Sequence, residues 1–227
     1  MDPRTSDELR ARHERLLAHL RDTASAHGHD PDRLRIVAIT KTHPVAVVRS
    51  ALEAGLRVLG ENRVKEAEEK IAAVPEAEWH LVGHLQANKV RRALRLFPVI
   101  HSIDSEELLA RVDRIASEEG VRPRLLVQVN VSGEATKAGM APADLEVLEP
   151  PSHADLVGLM TIAPMDAGDA AARAVFAELR ALRDRLAARL GIELPELSMG
   201  MSGDADAAAA EGATLVRIGT ALFGPRA

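Results

Sequence analysis

The sequence predicts an α/β fold, a (β/α)8 barrel of the TIM type with one extra N-terminal helix, in a single domain spanning residues 1–227. Three observations lead there. Eight short β-rich runs alternate with helical patterns, and parallel strands need a crossover connection between each pair. The 227 residues fall within the roughly 200 to 250 over which an α/β barrel runs as one domain. The chain is 46% hydrophobic and 28% charged, which is enough apolar material for one large core, and no low-complexity segment or charge block divides it. A doubly wound open sheet is the alternative for the same alternation, but eight parallel strands can close on themselves.

Each element has its own signal. Leu9, His13, Leu16, Leu17 and Leu20 share one helical face, and Thr5 or Ser6 can cap its start, so a helix is expected to about His27, where Gly28, Asp30 and Pro31 end it. A strand runs from Arg35 to Thr40. Pro44 and the spacing of Val45, Val48 and Leu52 then open a helix that stops at Gly55. Further strands are expected at Arg57 to Gly60, Trp79 to Gly83, Val99 to Ser102, Arg124 to Asn130, Asp155 to Leu159, Glu196 to Ser198 and Thr214 to Ile218. Helices are expected at Val64 to Ala73, Lys89 to Leu96, Ser105 to Glu119, Pro142 to Leu148 and Asp169 to Leu190, with a shorter connection from Asp204 to Glu211.

Composition excludes several classes of function. Lys and Arg number 29 against 34 Asp and Glu, so no basic excess exists to neutralise a phosphate backbone, and nucleic acid is not an expected partner. The chain contains no cysteine, which removes disulfides, thiolate metal sites and cysteine nucleophiles. Residues 1–15 are charged throughout and lack the apolar run of a secretory signal, and no stretch reads as a membrane span, so a cytoplasmic protein is expected. Arg supplies 24 of the 29 basic residues, leaving Lys41, Lys65, Lys70, Lys89 and Lys137. A lysine amine can form an imine where a guanidinium cannot, so each of the five is a candidate for chemistry as well as a solvated surface amine.

A barrel places chemistry at the C-terminal ends of its strands. The residues there are Lys41, then Glu61 and Asn62, Gly83 with His84 and Gln86, Ser102 and Asp104, Asn130 and Ser132, Met160 and Thr161, Ser198 through Ser202, and Arg217 with Gly219 and Thr220. Lys41 follows the apolar run Ile36 to Ile39, which puts its amine over the mouth in a partly desolvated place. Ser198 to Asp204 is small, hydroxylated and glycine-bearing and opens a helix, and Ile218-Gly-Thr-Ala follows the last strand; the two loops read as halves of a phosphate cup, or as tight turns with Asp204 as a helix cap. Arg217 stands among apolar neighbours, where an isolated guanidinium is costly. It either pairs with a barrel carboxylate such as Glu61 or Asp104, or donates to a ligand's ring nitrogen. His80 and His84 straddle a strand end with no acidic ligand beside them and make a poor metal pair. No nucleophile elbow, P-loop or dinucleotide fingerprint is present.

The stretches Ala38-Ile-Thr-Lys-Thr-His-Pro44, Gly60-Glu-Asn62, Trp79 to Lys89, His101-Ser-Ile-Asp-Ser105, Gln128 to Glu134, Gly158 to Pro164, Leu197 to Ser202 and Val216 to Gly224 together resemble the pyridoxal phosphate homeostasis family, whose fold is that of the N-terminal barrel of alanine racemase. The resemblance implies that Lys41 holds pyridoxal 5′-phosphate as a Schiff base, that Ser202, Gly219 and Thr220 hold the phosphate and that Arg217 faces the pyridine nitrogen. It also implies that Asn62, Met160 and Ser198 line the ring pocket. Thr40 stands where the family often has Ser, and His43 where it often has Lys. The implied function is cofactor homeostasis without robust catalysis. Racemase relatives take a second base from a tyrosine in a C-terminal domain, and this sequence has no tyrosine. A modest racemase or lyase, and an aldolase-type Schiff-base barrel without cofactor, are the competing readings. Apoenzymes that use the cofactor are the implied recipients, and the expected state is a monomer or weak dimer.

Overall fold

In a computed structural model describing residues 5–134, 137–164 and 168–224, eight strands form one closed parallel barrel in sequence order. The strands are β1 (Arg35–Ile39), β2 (Val58–Glu61), β3 (Glu78–Leu81), β4 (Val99–Ile103), β5 (Arg124–Gln128), β6 (Asp155–Met160), β7 (Glu196–Ser198) and β8 (Leu215–Ile218), with β8 pairing β1 to close the ring. The open-sheet alternative is thereby set aside. The helices are α1 (Ser6–Ala26), α2 (Val45–Glu53), α3 (Val64–Ala73), α4 (Val90–Leu94), α5 (Glu106–Glu119), α6 (Gly168–Leu190), α7 (Ala205–Ala210) and α8 (Thr220–Phe223). No helix among the described residues is long and apolar enough to cross a membrane.

Helix ends follow local chemistry. Ser105 caps α5 by accepting from the Leu108 N–H at 3.1 Å, and Gly120 closes it with φ 65°. α1 begins where expected, although the Thr5 side chain makes no cap bond, and it buries Leu9, Leu20 and Ala24 against α2 and α7. Two expected helices differ. Pro142 to Leu148 forms only a 3-10 turn over Pro142–Glu146, because Pro142 opens it and Pro150-Pro151 leave no room to propagate. The expected Lys89 start is a 3-10 turn, Ala87–Lys89, that feeds the short α4.

Side chains alternate across each strand, so the interior is built in layers of four drawn from alternate strands. At the foot, Arg35, Glu78, Arg124 and Glu196 from β1, β3, β5 and β7 form an ion-pair chain, with Arg35 to Glu196 at 2.5 Å, Arg35 to Glu78 at 4.0 Å and Arg124 to Glu78 at 3.0 Å. Above it lie Val58, Val99, Val157 and Leu215 from the even strands, packed with Val37 and Leu126. Higher up the interior turns polar, with His80, His101, Ser198 and Arg217 all buried. The larger apolar core lies outside the barrel wall, between the strands and their helices.

Candidate functional site

A cavity of about 230 Å³ opens at the C-terminal ends of β1, β7 and β8, lined by Ile39, Lys41, His43, Met201, Ser202, Gly203, Arg217, Gly219, Thr220 and Gly224. Five of the residues singled out from the sequence, Lys41, Ser202, Arg217, Gly219 and Thr220, therefore meet in one place. Ser198 reaches it indirectly, through its bond to Arg217. Met160 is buried in the inner apolar cluster that also contains Ile39 and does not line the cavity. Asn62 lines a neighbouring and larger pocket of about 470 Å³ with Arg63, Lys65, Gly83, His84, Gln86, Lys89 and Arg92. The smaller cavity is the candidate site, because it gathers the strand-end lysine and the two glycine-bearing loops.

The loop carrying Lys41 is tied down from below. Thr42 has φ 68°, a left-handed backbone that a β-branched residue rarely adopts and that requires outside support. Its N–H donates to Glu66 Oε1 at 2.5 Å, and Lys70 Nζ donates to Thr40 O at 2.8 Å, Glu61 Oε1 at 2.7 Å and Glu66 Oε1 at 2.8 Å. Burial pushes the Glu61 carboxyl up, against the bonds from Lys70 and Thr40 that pull it down. Lys70, a candidate for chemistry on composition, thus holds the loop instead. Glu61 is its partner and not the partner of Arg217.

The two glycine-bearing loops meet at one cavity, and Asp204 differs from the helix cap expected of it. Gly200 turns the chain out of β7 with φ 86°, and a Cβ there would sit 2.4 Å from the Cβ of Ala208. Asp204 precedes α7 and its backbone carbonyl accepts from the Ala208 N–H at 3.0 Å, but its side chain makes no cap bond; the carboxylate turns back to accept from the Met201 N–H at 2.5 Å and closes the loop. Ser202 Oγ accepts from the Ala221 N–H at 3.4 Å, which joins the two loops.

Arg217 is fixed without a carboxylate. Nη1 donates to Ser198 O at 2.9 Å and Oγ at 2.7 Å, and Nη2 to Thr161 O at 2.9 Å. Neither Glu61 nor Asp104 pairs with it, because Glu61 is engaged by Lys70 and Asp104 by His84 at 3.0 Å. Burial lowers its pKa to about 10, which leaves the group a cation at neutral pH. His80 and His84 diverge, and each has the carboxylate neighbour that the sequence did not show: Glu78 for His80 at 2.7 Å and Asp104 for His84. Asn130 spends its amide on its own loop, donating to Glu134 O at 2.9 Å.

Met201 and Gly203, from the Ser198 to Asp204 loop, complete the lining together with His43, Ile39 and Gly224, and these last three are not singled out by the sequence as site residues. Strand alternation could have placed Ile39, inward like Val37. His43 packs on Phe223 with ring centroids 4.9 Å apart, a contact between the loop after β1 and α8 that no sequence pattern announces.

A primary amine, hydroxyls, glycine-bearing loops and a cation converge on a space of small-molecule size. That donor set fits an aldehyde-bearing phosphate ester with a ring acceptor. Comparison with known proteins gives the same direction. The family described as alanine racemase, N-terminal domain, matches residues 13–227. The chain is 43% identical over 219 residues to the pyridoxal phosphate homeostasis protein of Pseudomonas aeruginosa, covering 93% of each. It is 39% identical over 219 residues to that of Aquifex aeolicus, covering 93% of this chain and 96% of the relative. Among solved structures it is similar to PipY of Synechococcus elongatus with pyridoxal phosphate bound, at 42% identity and TM-score 0.80, over 90% of this chain and all of that one.

Proposed function

The chain belongs to the alanine racemase N-terminal-domain family and, within it, to the pyridoxal phosphate homeostasis proteins, and from that premise we propose that it binds pyridoxal 5′-phosphate in the cavity between β1, β7 and β8 and serves in intracellular homeostasis of the cofactor, residues 1–227 acting as one domain. The observation that carries this reading is the meeting of Lys41, Ser202, Arg217, Gly219 and Thr220 around one cavity. The cofactor supplies an aldehyde that condenses with a primary amine. Lys41 provides that amine, on a loop held in place by Lys70 and Glu66. Ser202, Gly219 and Thr220 bind the phosphate, Arg217 donates to the ring nitrogen, and Ser198 orients Arg217. Met160, in the inner cluster that includes Ile39, and Asn62, which lines a separate pocket, would complete the surroundings of the ring.

The protein holds the cofactor and yields it to apoenzymes, with little chemistry of its own. Arg217 is a cation whose hydrogen-bond partners among the described residues are neutral oxygens, so it opposes protonation of the ring nitrogen and weakens the electron withdrawal on which carbanion chemistry depends.

Borohydride reduction of the loaded protein, followed by peptide mapping, tests the reading. The adduct is expected on Lys41 and is lost in Lys41→Ala, which keeps weak binding through the phosphate. Pyridoxal without its phosphate is expected to bind at least about 100-fold more weakly, since several charge-assisted bonds together contribute roughly 3 kcal/mol. L-alanine in heavy water is expected to exchange its Cα proton only at trace rates. An adduct mainly on Lys89 or Lys137, or turnover at about one per second, contradicts the proposal.

A further inference from the structure

The upper barrel interior carries a continuous row of polar side chains. His80 Nε2 lies 2.7 Å from Glu78 Oε1, His80 Nδ1 lies 2.8 Å from His101 Nε2, and His101 Nδ1 lies 2.8 Å from Ser198 Oγ. Ser198 Oγ in turn accepts from Arg217 Nη1 at 2.7 Å. Glu78 sits at the foot of the barrel and Arg217 at the mouth, so the row runs the length of the interior.

The two ends fix its direction. A guanidinium has only hydrogens to give, and an ionised carboxylate has only lone pairs. Between them each group donates once and accepts once: Arg217 to Ser198, Ser198 to His101, His101 to His80, and His80 to Glu78. Both imidazoles are then neutral and carry their proton on Nε2. The opposite direction sets two lone pairs against each other, His80 Nε2 and Glu78 Oε1, at 2.7 Å. With its proton committed to His101, the Ser198 hydroxyl can offer Arg217 only an acceptor. Two N–H groups of Arg217 are then held by Ser198 and one by Thr161, which sets the guanidinium plane and leaves two of its five N–H groups for the cavity it lines.

We infer that Glu78, His80, His101 and Ser198 form a one-way hydrogen-bonded relay that positions Arg217, so that recognition of a ligand's ring nitrogen at the mouth is set from the foot of the barrel. His80 and His101 are positioning residues, because neither lines the cavity. Burial holds both imidazoles neutral, as the relay requires, with Arg35, Arg124 and Arg217 adding to the effect at His101 and Glu78 opposing it at His80. The inference rests on the cofactor reading above.

The test has one arm without cofactor and one with it. Imidazole 15N NMR of the unloaded protein is expected to show His80 and His101 as Nε2–H tautomers that do not titrate near neutral pH. Affinities are then compared for pyridoxal phosphate and its deaza analogue, in which a C–H replaces the ring nitrogen. The wild type is expected to prefer the pyridine by about tenfold or more. Ser198→Ala and His101→Leu are each expected to reduce that preference about fivefold by weakening the pyridine ligand alone, whereas His101→Asn, whose Oδ1 can still take the Ser198 proton, retains most of it. Ser198→Ala removes a single oxygen and carries the test if His101→Leu does not fold. A wild-type preference that survives Ser198→Ala, parallel loss of both ligands, or an Nδ1–H tautomer at either histidine overturns the relay while leaving the cofactor reading intact. Equal wild-type affinities for the two ligands overturn the assignment of Arg217 and the inference with it.

Discussion

Lys70 spends all three ammonium hydrogens inside the protein, on Thr40 O, Glu61 Oε1 and Glu66 Oε1. Removing one partner of a buried ion pair typically costs about 3–5 kcal/mol, because the other charge stays buried and uncompensated. Lys70→Met is therefore expected to lower the free energy of unfolding by about that amount, and the double variant Lys70→Met/Glu61→Gln to recover part of it. Denaturant titration measures both. A single-variant loss below about 1 kcal/mol, in the range of an exposed pair, contradicts the assignment. Half of this cluster is legible in the sequence, since Glu66 and Lys70 stand at i, i+4 on a helix. Glu61 and Thr40 are not, because they join through two neighbouring strand ends whose pairing depends on barrel closure. The same limit applies to Arg217, whose placement among apolar neighbours showed that it needed partners without showing that these would be a serine and two carbonyls.

At the scale of elements, the turn from β7 into α7 carries the tightest steric demand in the site. α7 is a six-residue helix with Ala205 and Ala207 to Ala210 all buried, so it packs close under the loop from Gly200 to Asp204. Gly200→Ala adds a Cβ at 2.4 Å from that of Ala208 and keeps a φ of 86° that alanine resists. Strain of this kind costs about 1–3 kcal/mol, and a clash with backbone-anchored alanines cannot be relieved by a rotamer. The variant is expected to lose about that much stability and to bind pyridoxal phosphate about tenfold more weakly, with pyridoxal affected less because it lacks the phosphate. Equal weakening of both ligands points to general disorder of the site and contradicts a phosphate role for this loop. The glycine-bearing pattern was readable in the sequence because small residues cluster there; the span from Pro142 to Leu148 was misread as an α-helix because its apolar spacing cannot show that the flanking prolines stop propagation.

The whole barrel couples its foot to its mouth through buried groups, and this determines its response to acid. Eight alternations predicted the closed sheet, but the polar upper interior stayed hidden, since His80 and His101 acquire their common environment only when β3 and β4 pair. Burial lowers the pKa of His80 below its ordinary 6.5 and that of His101 well below it. The bond from His80, with help from Arg124, holds Glu78 at about 2 despite its partial burial. An unfolded chain takes up a proton on each imidazole as the pH falls through 6.5, whereas the folded chain, with both values lowered, takes them up only at lower pH, so just below 6.5 the unfolded state binds more protons and stability falls. Glu78 acts in the same direction at lower pH, its contribution being present above its ordinary 4.5 and lost as the pH falls through about 2. Each imidazole gives a slope of at most about 1.4 kcal/mol per pH unit, so stability is expected to fall as the pH drops from about 6.5 towards about 5. Urea midpoints taken across that interval measure the loss, and salt should change it little because both rings are buried. His101→Gln, which does not titrate, is expected to be less stable at neutral pH and to show about half the slope. A wild-type profile that stays flat down to about pH 5 would require the folded barrel to protonate both imidazoles as readily as the unfolded chain does, which would set two N–H groups against each other between His80 Nδ1 and His101 Nε2.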